Sequence, residues 1–166
     1  MRRSIFFTLL AGLIVVLSLF ALPGARVSAA REVVVTITER EFNTFLSKVR
    51  KDPLIAKLQA DIIDGGIIMT VTLKTATMPV YQEHYGVLIR DAKVVTEAGK
   101  FFIPGYGGLG YEDVRVLLPE YIPVLDNNAK TLGKYVLDRI RAKAGTRYTP
   151  VSVTTGEDKV VIVVNK

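Results

Sequence analysis

The sequence predicts an α+β fold, an antiparallel twisted sheet with two main helices packed on it, and three patterns carry that expectation. Apolar residues alternate with period two over residues 58–62 and 67–74, on either side of Asp64-Gly65-Gly66. Residues 39–51 and 129–144 instead space their apolar side chains as helices do. The links between strand segments are short, which suits hairpins and therefore antiparallel pairing.

The chain begins with Arg2 and Arg3 before an uncharged apolar run over residues 5–22, closed by Pro23-Gly24. Val27 and Ala29 supply the small residues of a signal-peptidase site, so residues 1–29 read as a signal peptide cleaved after Ala29 or Ala30. The run is also just long enough to span a bilayer, and the alternative is an uncleaved anchor through residues 5–22. Both readings place the protein outside the cytoplasm, periplasmic or extracellular, and the long apolar core favours the ordinary secretory route. Residues 30–166 then form a single domain. Three of the 22 basic residues (Arg2, Arg3, Arg26) lie in the leader and all 16 acidic ones follow it, which leaves the remainder at +3. That excess is too small for the dense basic face of a nucleic-acid binder. With no cysteine, disulfides, a zinc ribbon and a lipoprotein anchor are all excluded.

After the leader, the β-branched run Glu32-Val33-Val34-Val35-Thr36-Ile37 reads as a strand. Thr38-Glu39-Arg40-Glu41 fits a capping box, with Ile37 placed to staple onto Phe42. Phe42, Phe45, Leu46 and Val49 follow on one helical stripe that ends before Asp52-Pro53. The hairpin across Asp64-Gly65-Gly66 comes next. A further pair is expected over residues 80–95 and 100–103, joined at Glu97-Ala98-Gly99, and a last hairpin over residues 151–154 and 160–164 across Gly156-Glu157-Asp158.

Between the last two sheet segments, four glycines in residues 105–110 read as a flexible loop without the lysine and hydroxyl of a phosphate-binding P-loop. Pro119 and Pro123 predict a kinked or broken segment over residues 113–125. The second helix is expected over residues 129–144, with Leu132, Tyr135, Val136 and Ile140 as its stripe, caps among Asp126, Asn127 and Asn128, and Gly145 at its end.

No catalytic set emerges. His84 reads as a surface residue at a strand end, Asp64 as a turn residue and Glu112-Asp113 as a helix start, so the chain is expected to be no enzyme and to need no cofactor or metal. What stands out is a concentration of large apolar residues around the kinked segment. Held partly away from the sheet, that segment would leave an apolar slot lined by Phe101, Phe102, Leu117, Tyr121 and Ile122, with Phe42 and Phe45 contributing.

The strand running into Ile37-Thr38-Glu39-Arg40-Glu41-Phe42-Asn43-Thr44-Phe45-Leu46 resembles the start of small bacterial envelope proteins related to the tubular lipid-binding (BPI-like, TULIP-type) superfamily. The order of elements is similar over most of the remaining chain, including Phe101-Phe102-Ile103-Pro104 and the final hairpin at Val151-Ser152-Val153. The resemblance implies a half-tube around a lipid slot. The expected function is then non-catalytic binding or shuttling of a lipid or other hydrophobic small molecule in the cell envelope, with contact to the membrane surface. The alternative is an interaction or scaffold module of an envelope complex, its apolar residues all in the core.

Overall fold

Local chemistry accounts for most of the elements in the computed structural model, which describes residues 31–49, 53, 55–74, 80–105 and 107–166. The expected leader and its cleavage site lie outside the described residues. Strand β1 (Glu32–Thr38) runs without a break into α1 (Glu39–Lys48). The capping box closes this junction, Glu41 N–H donating to Thr38 Oγ1 at 3.3 Å and Thr38 N–H to Glu41 Oε2 at 2.9 Å. Phe42 and Leu46 are the fully buried residues of the helix stripe. The helix ends earlier than its periodicity suggests, because Val49 is already extended.

Strands β2 (Ile55–Ile63), β3 (Gly66–Leu73), β4 (Val80–Arg90), β5 (Lys93–Ile103) and β6 (Gly107–Gly110) form one antiparallel sheet in sequential order. A short helix α2 (Tyr111–Leu117), a 3₁₀ turn (Pro119–Tyr121) and the long helix α3 (Ile122–Ala144) follow. The last hairpin, β7 (Thr149–Gly156) and β8 (Lys159–Asn165), forms a second antiparallel sheet with β1 in the order β1-β8-β7. The fold is α+β with antiparallel pairing throughout, but two sheets replace the single one expected. Because β1 leads directly into α1 it cannot turn back onto β2, and its partner is β8, with Val35 opposite Ile162 and Ile37 opposite Val160. All four of these side chains are fully buried.

Three further expectations are corrected. The β4–β5 turn lies at Asp91-Ala92, both at positive φ (49° and 55°), as a two-residue primed turn requires. Glu97, Ala98 and Gly99 belong to β5, where a register shift at His84/Tyr85 absorbs the extra residue. The glycine run is not a free loop, since residues 107–110 pair with residues 100–103. A Cβ at Gly108 would lie 2.7 Å from the Phe102 ring, which would have to turn aside. The segment is broken at Leu118 (φ −140°, ψ 56°), just before Pro119, as expected, but the second helix starts at Ile122, not at residue 129. Pro119 opens the 3₁₀ turn and Pro123 sits in the first turn of α3, where a missing N–H costs nothing. Asp126 and Asn128 therefore lie inside α3 and are available for other contacts.

Helix α3 buries Leu125, Ala129, Leu132, Val136, Ile140 and Ala144 on one face. It packs across β5, β4, β1 and β8, while β7 touches β2, β3, β4 and β5. Among the described residues no helix is long and apolar enough to cross a membrane.

Candidate binding groove

The two edges of the five-stranded sheet are finished differently. In a ladder closed by a two-residue turn, alternate residues direct their N–H and C=O outward. On β2, where Ile63 pairs with Gly66, the outward residues include Ala60 and Ile62. Helix α1 seals them. Asn43 Nδ2 donates to the Ala60 carbonyl and Ala60 N–H donates to Asn43 Oδ1, both at 2.8 Å, and Ile62 N–H donates to Glu39 Oε2 at 3.2 Å.

On β5 the same geometry starts from the Arg90–Lys93 pair and turns the main-chain groups of Val94, Thr96 and Ala98 away from β4. Strand β6 covers only residues 100–103. Among the described residues nothing hydrogen-bonds to the outward groups of Val94, Thr96 and Ala98, so residues 93–99 form an open edge.

This edge lies in a groove of about 850 Å³ whose other wall is α3. The groove is lined by Val94, Thr96 and Ala98 from one face of β5 and by Val95 and Glu97 from the other, so it follows the strand edge itself. From α3 come residues between Asp126 and Arg141, a stripe about 22 Å long at helical rise. Ala129 and Leu137 join Val94 and Ala98 as an apolar floor, while the rim carries Lys130, Lys134 and Arg141 along α3 and the acids Glu112 and Asp126 at one end. Arg90 pairs with Glu97, and Arg141 approaches Asp138. Lys130 and Lys134, both exposed, form no ion pair among the described residues, although Asp126 and Asp138 lie one turn away on α3. Tyr111 Oη donates to Asp126 Oδ1 at 2.9 Å and ties α2 to α3 at one end.

Behind the groove a buried carboxylate fixes α3 to the sheet. Glu83 on β4 has no exposed surface. Tyr85 Oη donates to its Oε2 at 2.6 Å, and Asn128 Nδ2 on α3 donates to Oε2 at 2.9 Å and to Oε1 at 3.2 Å. Burial pushes the Glu83 carboxyl up to about 7, against the pull of hydrogen bonds from Tyr85, Asn128 and Tyr81. The Tyr85 and Tyr81 hydroxyls are held well above their ordinary range, first by burial and then by the Glu83 charge. Sealed from solvent, Glu83 positions the helix and cannot meet a solute. The alternation signal was present: Tyr81, Glu83, Tyr85 and Val87 occupy successive inward positions of β4 and all are buried.

The seven residues expected to line a slot separate into two packed clusters and an outer face. Phe42, fully buried, meets the edge of Tyr135 on α3 with ring centroids 5.1 Å apart. Phe45 stacks on the same ring at 4.2 Å and borders a 370 Å³ hollow with Arg40, Lys48 and Arg139. Phe101, 1% exposed, packs with Tyr121 at 5.4 Å and Tyr81 at 5.0 Å, and Ile122 is half-buried against the core. Phe102 and Leu117 are exposed, at 36% and 63%. Phe102 borders a 360 Å³ hollow with Val80 and Pro104. None of the seven lines the β5–α3 groove.

His84 is half-buried, its Nε2 lacks a hydrogen-bond partner among the described residues, and burial followed by the nearby Lys100 charge lowers its pKa. Glu39, Asp61 and Asp158 bring carboxylate oxygens within 4.8 Å of one another, but Glu39 already caps Ile62 N–H. Comparison with family models, with curated proteins and with solved structures finds no match for the chain.

Proposed function

We propose that this protein is a non-catalytic, exported module of the cell envelope that binds a partner protein through the groove between β5 and α3. The observation that carries this reading is the contrast between the two sheet edges: Asn43 and Glu39 seal β2, whereas Val94, Thr96 and Ala98 are left open within a groove of about 850 Å³. A sheet edge presented in a groove is a ready template for another chain. The absence of cysteine, the modest charge and the leader-like residues 1–29 agree with an envelope location.

A second reading, a lipid or other hydrophobic small molecule held in the same groove of a half-tube, draws on the apolar floor of Val94, Ala98, Ala129 and Leu137. A photo-crosslinking side chain at Val95 in living cells separates the two. The protein-partner reading expects a discrete adduct of protein mass, absent from a control position at Lys159 and lost on combining Lys130→Glu with Lys134→Glu. An adduct of lipid mass would favour the second reading. No adduct at Val95 above the control would refute the groove as the binding site.

A further inference from the structure

We infer that the groove takes one extended, acidic segment of a partner protein, which adds to the sheet as a strand alongside residues 93–98 of β5. The inference rests on the groove reading above and specifies its occupant. Val94, Thr96 and Ala98 each offer one outward N–H and one outward C=O, spaced along an edge about 20 Å long, the reach of six extended residues. An acyl chain laid there would exclude water from these groups and return no hydrogen bond, which is unfavourable for every group covered. A peptide backbone restores each bond and leaves its alternate side chains to meet the two walls.

Charge selects the chemistry of those side chains. The helical wall presents Lys130 and Lys134, one turn apart and in no ion pair among the described residues. Across from them Glu97 is engaged by Arg90. The other acids of the lining are engaged elsewhere, Glu112 by Arg115 and Asp126 by the Tyr111 hydroxyl, so side chains of the added strand beside Lys130 and Lys134 meet a local excess of positive charge that acidic residues complement. A second copy of this chain fits worse, since its own edge carries Lys93 and Lys100 and its own α3 the same lysines.

The test titrates the full chain with a pooled set of heptapeptides alternating Val, Ile or Thr with Glu or Asp, while backbone amide signals and exchange rates are followed by NMR. Strand addition predicts saturable shifts at Ala129, Lys130 and Lys134. It also predicts exchange at the Val94, Thr96 and Ala98 amides slowed at least tenfold, and loss of both effects when every second peptide nitrogen is methylated. Combining Lys130→Glu with Lys134→Glu should weaken binding at least tenfold and transfer the preference to peptides with Lys in place of the acids. Thr96→Pro, which removes an outward donor without touching the ladder to β4, should weaken the acidic peptides similarly. If methylated peptides bind equally well, or the three amides stay unprotected, strand addition is overturned while groove binding stands. No saturable shift with any heptapeptide also overturns strand addition, and the Val95 crosslink then decides whether the groove reading survives. Concentration-dependent protection of the same amides without peptide would make a second copy the occupant and overturn the proposal.

Discussion

Asn43 on α1 holds Ala60 on β2 by both main-chain groups, donating to its carbonyl and accepting from its N–H at 2.8 Å each. A side-chain amide sets an N–H donor beside a carbonyl acceptor at the spacing of a neighbouring strand's backbone, so Asn43 replaces the strand that β2 lacks. Replacing it with alanine removes two part-buried bonds and leaves both Ala60 groups without partners. Asn43→Ala should lower unfolding free energy by about 2–4 kcal/mol in urea denaturation. Asn43→Asp keeps the acceptor but turns a second carboxylate oxygen toward the Ala60 carbonyl, so at neutral pH it should cost at least as much.

Glu83 makes stability depend on pH. Its folded pKa is raised to about 7 from an ordinary value of 4.5, so the folded protein holds this proton more tightly than the unfolded chain does. The stabilising contribution is complete below about pH 4.5, declines as pH rises, and is lost once pH passes about 7. From this group alone, stability at pH 8 should lie below that at pH 5 by on the order of 3 kcal/mol. Glu83→Gln, neutral at every pH and able to accept from Asn128, should remove most of this slope. Chemical denaturation of both proteins across pH 5–8 would check it.

Gly66 opens β3 under the backbone of β4. A Cβ there would lie 2.4 Å from the Tyr85 carbonyl oxygen and 2.7 Å from His84 Nε2. The first contact is with main chain that is held in the ladder and cannot swing aside. Gly66→Ala should therefore destabilise the protein by at least about 2 kcal/mol. A thermal melt that leaves Tm unchanged would contradict the packing described for this corner.

Leu117 ends α2 with 63% of its surface exposed. Leu117→Glu should change stability by less than about 0.5 kcal/mol and leave crosslinking from Val95 intact. A slot beneath the segment around Pro119 would instead make that charge damaging to any hydrophobic ligand.

The parts of the fold legible in the sequence are those decided by neighbours along the chain. Thr38 and Glu41 need only each other, and the Asp64-Gly65 turn uses a glycine at φ 85°. The Asp91-Ala92 turn carries no glycine at its positive-φ positions, so Asp91 and the polar residues Arg90 and Lys93 were its only local marks, and Gly99 drew the turn to the wrong place. Pairing of β1 with β8 joins opposite ends of the described chain and leaves no trace in periodicity. At the candidate site the obstacle was different. Apolar and aromatic side chains suggested a slot, but Phe42 and Phe101 fill the core, whereas the groove is defined by a strand that is missing beside β5. Asn43 belonged to a motif seen in the sequence, yet its partner at Ala60 is a matter of tertiary structure. Glu83 was passed over because a charge in an alternating strand ordinarily faces water.

One edge of the five-stranded sheet is closed by the side chains of Asn43 and Glu39, whereas the outward groups of Val94, Thr96 and Ala98 on the other edge have no partner among the described residues. Backbone amide exchange in the free chain, measured residue by residue, tests this contrast most directly. Val94, Thr96 and Ala98 should exchange at least tenfold faster than Ala60 and Ile62, whose N–H groups donate to Asn43 and Glu39. Equal protection at the two edges would mean that the outward groups of β5 already have partners, and would contradict the account.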